Sequence, residues 1–260
     1  MHESQQNRAE QSHEQGTPIR VLYVEDDAKY RRLVMTQLRL DGYDAVAVPD
    51  GQSALDACTK RDPDLVILDL RLPDMDGIAL ITRMRQLTTT PIFVVSAVRS
   101  ESALVAAMEA GADDYLAKPY SLVELQTRVR ALVRRSQTMG VWGPELSYGN
   151  IHLSTRTREC TIGGRPVHLT PLEWRLLREL VSHGGELLSH EYLLGRVWGL
   201  DYRDEREYLR VYIRNLRQRI EPNPTRPVYL ISVPGKGYAL RMPGDASPLR
   251  EVAEHGKLPD

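Results

Sequence analysis

Residues 63–77, with the sequence PDLVILDLRLPDMDG, decide the fold of the first half of this chain. They contain a short apolar run, residues 65–68, that ends at Asp69 and is followed by a loop with Pro73 and Gly77. A short run of branched residues between turn formers is typical of a strand buried on both faces of a parallel sheet. Asp69 then lies at the carboxyl end of the strand, the edge where open α/β sheets bind ligands. A capping role in the next turn is the alternative for Asp69 considered alone.

The pattern of a strand followed by a helix occurs five times between residues 18 and 135. The predicted strands are residues 20–24, 45–48, 65–68, 92–95 and 114–117, and helices are predicted near residues 51–60, 77–86, 100–110 and 121–135. After the first strand, a helical pattern with Tyr30, Leu33, Val34 and Leu38 breaks at Asp41-Gly42. Ser121 and Glu124 predict a capping box at the start of the last helix. Such repeats predict an α/β domain with a five-stranded parallel sheet, and we expect the flavodoxin-like order 2-1-3-4-5.

Polar residues follow four of these strands at one predicted edge of the sheet. Glu25 and Asp26 follow the first strand, Asp69 the third, Ser96 the fourth and Lys118 the fifth. Because strands one and three are neighbours in the expected order, the three carboxylates should lie close together and repel each other unless a cation is bound. A partly hydrated Mg2+ suits such a site better than a caged Ca2+. Lys118 and Ser96 would supply a positive charge and a hydroxyl donor to phosphoryl oxygens.

Length and composition favour two domains without a membrane segment. The chain has 260 residues, of which 42% are hydrophobic, which is enough for two cores. No apolar run approaches the roughly 20 residues that cross a bilayer, and residues 1–17 contain no secretory signal. We expect a cytoplasmic protein with a disordered N-terminus at residues 1–17 and no membrane partner. Cys58 and Cys160 lie far apart, so neither a disulfide framework nor a zinc site is predicted.

Residues 18–135 resemble the receiver domain of response regulators. The resemblance rests on four motifs, VEDD (24–27), VILDLRLPDMDG (66–77), VVSA (94–97) and GADDYLAKPY (111–120). It implies that Asp69 accepts a phosphoryl group from a sensor histidine kinase. It also implies a set of supporting residues: Glu25, Asp26, Asp69 and the Arg71 carbonyl for the metal, Lys118 for the phosphoryl group, Ser96 and Tyr115 as the switch pair, and Pro119 as a cis proline.

A metal-dependent phosphohydrolase with an aspartyl nucleophile is the alternative from another class. Those enzymes usually carry Asp-x-Asp at the nucleophile, whereas Leu70 and Arg71 follow Asp69 here. We therefore do not expect an enzyme.

The second half of the chain has a different pattern. Residues 136–144 mix glycine, proline and polar residues, which indicates a linker. Short antiparallel strands with a turn at Gly163-Gly164 follow, and Thr170, Pro171 and Glu173 predict the start of a helix. Residues 189–197 and about 205–220 are further predicted helices. Residues 145–243 carry 15 Lys and Arg against 11 Asp and Glu, a modest excess that favours a nucleic-acid partner without deciding it.

The helix at about 205–220 is the candidate DNA-reading element. Its predicted buried stripe is Leu209, Ile213, Leu216 and Ile220. Tyr208, Val211 and Asn215 lie opposite that stripe, where they could contact base edges, and four flanking arginines could contact phosphates: Arg206, Arg210, Arg214 and Arg217. A solvated basic face is the alternative. A terminal hairpin, VYLISV-PGKG-YAL, favours the DNA interpretation because it has the pattern of a wing, with Lys236 at its turn.

Residues 145–243 resemble the winged helix-turn-helix DNA-binding domain of the OmpR/PhoB family. The segment YLRVYIRNLRQRIEPNP (208–224) further resembles KdpE-type regulators of potassium uptake. The resemblance implies double-stranded DNA and RNA polymerase as partners. Several members have arginine where Asn215 and Pro234 stand, so their base preferences do not carry over. Residues 244–260 are expected to form a disordered tail.

The family resemblance also implies a homodimer of phosphorylated receivers. The matching ion pairs are Asp114 with Arg128 and Glu109 with Arg130. A third pair is broken, because the partner expected for Glu124 is Leu104, which with Val105 and Met108 could enlarge the apolar part of the interface. The whole pattern predicts a phosphorylation-activated transcription regulator. A phosphorylation-independent regulator of the same architecture is the alternative, and the full set of site residues argues against it.

Overall fold

The computed structural model describes residues 18–137, 145–199, 202–245 and 248–252. We refer to residues 18–137 as the N-terminal domain and to residues 145–252 as the C-terminal domain. The predicted disordered N-terminus, residues 1–17, lies outside the described residues, as do residues 138–144 of the predicted linker and residues 253–260 of the predicted tail.

The N-terminal domain contains a five-stranded parallel sheet with the strand order β2-β1-β3-β4-β5. In chain order its elements are β1 (Arg20–Val24), α1 (Ala28–Leu40), β2 (Asp44–Val48), α2 (Gly51–Arg61), β3 (Leu65–Leu68), α3 (Gly77–Leu87), β4 (Ile92–Ser96), α4 (Glu101–Ala110), β5 (Asp114–Ala117) and α5 (Leu122–Gln137). The flavodoxin-like order predicted from the sequence is confirmed. Helix α5 continues two residues into the predicted linker.

Apolar residues on both faces of this sheet explain why it is central. All four residues of β3 are 0% exposed. One face packs against α2, α3 and α4, and the other packs against α1 and α5. Side chains of a strand alternate between the two faces, so an uninterrupted apolar strand is stable only where both are covered.

Capping side chains set the starts of the helices. Asp27, Asp50 and Asp76 accept hydrogen bonds from backbone N–H groups at the starts of α1, α2 and α3. At α5, Ser121 accepts from the N–H of Glu124, but the Glu124 carboxylate pairs with Arg128 at 3.5 Å. The capping box predicted there is therefore present only in its serine half among the described contacts.

The C-terminal domain begins with a four-stranded antiparallel sheet, and a hairpin and one further short strand follow its helices. Its elements are β6 (Glu145–Tyr148), β7 (Ile151–Ser154), β8 (Cys160–Ile162), β9 (Arg165–Pro166), α6 (Pro171–Ser182), β10 (Glu186–Ser189), α7 (His190–Val197), α8 (Arg206–Ile220), β11 (Leu230–Val233), β12 (Gly237–Leu240) and β13 (Arg250–Glu251). Thr170 and Glu173 form both bonds of a capping box at α6, and β11 and β12 form the predicted wing.

Two strands of this domain depart from the sequence-based expectation. β10 pairs with β12, and β13 pairs with β10 in parallel. The expectation that residues 244–260 form a disordered tail is wrong for β13, because its backbone bonds to an open edge of β10 and the Val252 N–H donates to the Leu187 carbonyl at 3.2 Å. Gly237 permits the β10–β12 pairing, since a Cβ there would lie 1.9 Å from the Leu188 carbonyl oxygen.

The two domains contact each other through α4 and α8, which place the second domain against the α4–β5 side of the first. None of the described helices is long and apolar enough to cross a membrane.

Candidate functional site

A buried cluster of charged and hydroxyl side chains lies at the carboxyl ends of β1, β3, β4 and β5. Glu25, Asp69, Ser96 and Lys118 are all buried. The Lys118 ammonium lies 2.6 Å from Glu25 Oε2 and 2.6 Å from Asp69 Oδ2. The structure thus brings four of the five strand-end residues into direct contact, although they come from the ends of four different strands and are distant in sequence.

Both oxygens of the Asp69 carboxylate accept hydrogen bonds. Ser96 Oγ donates to Asp69 Oδ1 at 2.9 Å, and the Arg71 backbone N–H donates to the same oxygen at 3.0 Å. Lys118 donates to the other oxygen. Asp76 caps the next helix, so Asp69 is not that helix cap. These donors fix a carboxylate that can act as a nucleophile once one oxygen is released.

The Lys118 side chain is held by two carboxylates and an aromatic ring. Burial acts to lower the pKa of Lys118, but the hydrogen bonds to Asp69 and Glu25 and the negative charges of those carboxylates together outweigh it and raise the pKa. The ammonium also lies 4.6 Å from the ring centroid of Tyr30, which adds a cation–π contact. The Lys118–Pro119 peptide bond is cis, as the resemblance implied. Lys118 therefore carries its charge at neutral pH beside Asp69.

The oxygen donors of this cluster fit Mg2+. Within the described ranges, no group of three Asp, Glu, His or Cys side chains is close enough to hold one metal ion. Asp26 is exposed, unlike the buried residues of the cluster. Mg2+ usually keeps several waters and binds one or two protein carboxylates, so a larger cage is not required. Glu25 and Asp69 lie on either side of a single ammonium group, and both are hard oxygen donors. Asp26 and the Arg71 carbonyl complete the predicted metal set.

Tyr115, the second residue of the predicted switch pair, faces the loop after β4. Its side chain is buried, and its hydroxyl donates to the Val98 carbonyl. Burial raises the pKa of Tyr115, so the hydroxyl remains a donor. Ser96 meanwhile donates to Asp69, and its hydroxyl also acts through hydrogen bonding to lower the pKa of Tyr115, so the two switch residues are neighbours in this conformation.

The face of α8 that was predicted to contact bases is covered by the N-terminal domain. Tyr208, Val211 and Asn215 are buried. Asn215 Nδ2 donates to the Met108 carbonyl at 3.2 Å, and the Tyr208 hydroxyl donates to the Tyr115 carbonyl at 3.3 Å. The expectation of a solvent-exposed face opposite the apolar stripe is therefore wrong for this conformation, because α8 is packed on two sides.

Two further tyrosines connect the domains. The Tyr212 hydroxyl donates to the Ala112 carbonyl, and the Tyr202 hydroxyl donates to Asp114 Oδ2. Arg128 Nη1 lies 3.0 Å from Asp114 Oδ1 and donates to the Tyr202 hydroxyl at 2.8 Å. Burial is the largest single influence on the pKa of Arg128 and acts to lower it, but the charge of Asp114, its hydrogen bond to Arg128 and two neighbouring tyrosines together raise the pKa. We call Tyr202, Asp114 and Arg128 the interdomain triad.

Three of the flanking arginines lie at the surface of α8. Arg206 is exposed, Arg210 pairs with Glu207, and Arg214 pairs with Glu109 of the N-terminal domain. These pairs are solvent-accessible, so they cost little to exchange for phosphate contacts.

Arg217 differs from the other three arginines because it connects α8 to the wing. Its guanidinium donates to the Leu230 carbonyl at 3.1 and 2.7 Å and to Ser232 Oγ at 2.8 Å. Burial lowers the pKa of Arg217. Lys236 is exposed at the turn between β11 and β12.

Comparisons with known proteins identify both domains. A family described as "Response regulator receiver domain" matches residues 21–130, and a family described as "Transcriptional regulatory protein, C terminal" matches residues 164–240. The chain is 41% identical over 222 residues to the KDP operon transcriptional regulatory protein KdpE of Escherichia coli (strain K12), covering 85% of this chain and 99% of that protein. This chain is an OmpR/PhoB-type response regulator. The family consists of transcription regulators rather than enzymes.

Other relatives of this response regulator support the same assignment. It is 37% identical to KdpE of Mycobacterium tuberculosis (strain ATCC 25618 / H37Rv), covering 84% of this chain and 97% of that protein. It is also 37% identical to the sensory transduction protein RegX3 of Mycolicibacterium smegmatis, covering 85% and 98%. Among solved structures, a mutant form of RitR matches its fold with a TM-score of 0.73 at 24% identity, covering 87% of this chain and 100% of that chain.

Most of the predicted dimer residues of this response regulator take part in contacts within one chain. Asp114 and Arg128 belong to the interdomain triad, Glu109 pairs with Arg214, and the Met108 carbonyl accepts from Asn215. Leu104 is half-buried and packs against the apolar core that contains Met108, while Glu124 and Arg130 are exposed.

Sequence reasoning did not single out three tyrosines that the structure places at functional contacts. Tyr202 stood in a polar loop without periodicity, and Tyr212 stood within the helix pattern without an assigned role. The buried hydroxyl of Tyr23 donates to Glu25 Oε2 at 2.9 Å. Its only sequence signal was a phenol in a strand otherwise composed of aliphatic residues and one terminal arginine.

Proposed function

We propose that Asp69 accepts a phosphoryl group from a sensor histidine kinase and that this phosphorylation activates DNA binding by the C-terminal domain. The observation that carries this proposal is the Asp69 carboxylate, buried and held by Ser96 and Lys118 at the carboxyl edge of the sheet. An Asp69 oxygen would form the bond to phosphorus while the bond from phosphorus to the histidine nitrogen breaks, and the imidazole keeps the electron pair.

Each neighbour of Asp69 has a distinct part in this proposal. Lys118 offsets negative charge on the phosphoryl oxygens, and Ser96 offers a hydroxyl donor once it leaves Asp69 Oδ1. Glu25, Asp26, Asp69 and the Arg71 carbonyl would hold Mg2+. When bound, Mg2+ supplies charge neutralisation at the phosphoryl oxygens.

We further propose that the described conformation is unable to read DNA. The side chains proposed to contact bases, Tyr208, Val211 and Asn215, are buried against α4 and β5. A helix that enters the major groove must expose that face. The C-terminal domain would therefore have to separate from the N-terminal domain before α8 contacts bases, with Arg206, Arg210 and Arg214 at phosphates and Lys236 of the wing beside them.

The proposed homodimer and the closed conformation compete for the same surface. In the dimer, Asp114 would pair with Arg128 of a second copy, and Glu109 with Arg130. In the closed chain Asp114 bonds to Tyr202, and Glu109 bonds to Arg214. Phosphorylation would favour DNA binding through dimerisation, because a second copy would occupy the surface on which α8 rests in the closed chain. RNA polymerase is the further partner expected of such a regulator.

Intact-mass measurement after incubation with acetyl phosphate and Mg2+ tests the phosphorylation site. We expect one added phosphoryl group on the parent chain and none on Asp69→Ala. Asp56→Ala is the control, because Asp56 is a surface residue of α2 whose partners among the described residues are its helix neighbours Lys60 and Gln52. Equal labelling of Asp69→Ala would disprove the site, and an unlabelled parent would favour a phosphorylation-independent regulator.

A further inference from the structure

Tyr23 occupies the middle of β1 and is 0% exposed. Its ring lies in the apolar cluster between the sheet and helices α1 and α5. Packing alone would be satisfied there by phenylalanine or leucine. Burying a hydroxyl without a partner is unfavourable, so a tyrosine at this position points to a role for its hydroxyl beyond packing.

The partner of that hydroxyl is Glu25 of the phosphorylation site. The Tyr23 hydroxyl donates to Glu25 Oε2 at 2.9 Å. Residues two apart on a strand share one face, so Tyr23 and Glu25 point to the same side of β1. The hydroxyl is thereby anchored in the core and reaches along the strand to the end of the sheet.

Glu25 Oε2 has a second donor that is not permanent under the proposed function. Lys118 lies 2.6 Å from Glu25 Oε2 and 2.6 Å from Asp69 Oδ2. When Lys118 moves to a phosphoryl group on Asp69, its bond to Glu25 is weakened. The Tyr23 hydroxyl stays in place, because its ring is held by the core rather than by the site.

We propose that Tyr23 is a positioning residue of the phosphorylation site, which holds Glu25 Oε2 and so leaves the other carboxylate oxygen oriented for Mg2+. The proposal rests on the proposed function of Asp69 and Glu25. Partners that orient a metal-binding side chain commonly change metal affinity by about 10- to 100-fold when they are removed. Tyr23→Phe should therefore weaken metal binding by about tenfold while the ring continues to pack.

The test measures metal binding directly, without phosphorylation. Water-proton relaxation is recorded as Mn2+ is titrated into the full-length chain, and Mg2+ is then used to displace it, which gives dissociation constants for both ions. Circular dichroism melting shows whether each variant is folded. Tyr120→Phe is the matched control, because the Tyr120 hydroxyl is buried near the same cluster and has no hydrogen-bond partner among the described residues.

A double-mutant cycle separates positioning from a general effect on the fold. If Tyr23 acts through Glu25, Tyr23→Phe should weaken metal binding in the parent but cause no further loss in a Glu25→Gln background. A change of less than twofold in the parent, an equal loss in Tyr120→Phe, or a full additional loss in Glu25→Gln would each overturn the proposal. Failure of Tyr23→Phe to change affinity, with the parent still labelled at Asp69, would leave the proposed function standing. Absence of Mn2+ binding by the parent would refute the metal site itself.

Discussion

Replacing Tyr202 by phenylalanine should open the closed conformation without touching the DNA-contacting face. The Tyr202 hydroxyl accepts from Arg128 at 2.8 Å and donates to Asp114, while its ring packs edge-on against Tyr208. Phenylalanine keeps the ring and removes only the hydroxyl. Tyr202 lies in the loop before α8 and is not among the proposed DNA contacts, so the variant changes the closed state selectively.

The size of the effect follows from the charges in the interdomain triad. A hydrogen bond to a charged group contributes about 1.5–3 kcal/mol, and the Asp114 side chain is 0% exposed. Every 1.4 kcal/mol changes an equilibrium tenfold, so the open population should rise about 10- to 100-fold. The apparent dissociation constant for DNA equals the intrinsic one divided by the open fraction. Unphosphorylated Tyr202→Phe should therefore bind DNA more tightly by up to that factor.

Fluorescence anisotropy with a duplex selected from a random pool by the phosphorylated parent measures this gain. Phosphorylated Tyr202→Phe should match the phosphorylated parent, which shows that the intrinsic affinity is intact. Tyr229→Phe is the control, because its hydroxyl accepts from Asn150 at 3.0 Å within the C-terminal domain alone. If unphosphorylated Tyr202→Phe binds like the parent, or if Tyr229→Phe gains equally, then the interdomain contact does not limit DNA binding.

Three further changes test the other contacts. Lys118→Met leaves two buried carboxylates without their shared cation, so the free energy of unfolding measured in urea should fall by about 3–5 kcal/mol. Mg2+ should restore part of that loss, and an unchanged free energy of unfolding in metal-free buffer would contradict the buried pair. Arg128→Ala removes a partner from both the closed chain and the proposed dimer, so sedimentation of the phosphorylated variant should show monomers, and a dimer as stable as the parent's would place that interface elsewhere. Asn215→Ala should relax base preference at one position, where the lost discrimination is about 1–3 kcal/mol. Arg214→Ala should instead weaken binding to all duplexes and flatten the salt dependence of that binding. Equal losses of affinity for selected and random DNA in both variants would refute these roles.

Local pattern determined the architecture of this response regulator. The run at residues 65–68 predicted a strand buried on both faces, and each of its residues is 0% exposed. Alternation of strands and helices predicted the parallel sheet, and from that sheet the meeting of Asp69 with Lys118 follows, because parallel strands place their carboxyl ends at one edge. Thr170 and Glu173 predicted the start of α6 through bonds within a single turn.

Only the tertiary structure decided what covers the second face of α8. Periodicity showed that Leu209 and Leu216 face a core, but it is silent about which surface meets the opposite side of the helix. That surface comes from residues far away in the chain, as in the Asn215 bond to Met108 at a separation of 107 residues. The same holds for β13, whose short sequence pairs because β10 offers an open edge. Patterns of spacing encode which side chains share a face, whereas the partner of that face depends on how separately folded elements pack together.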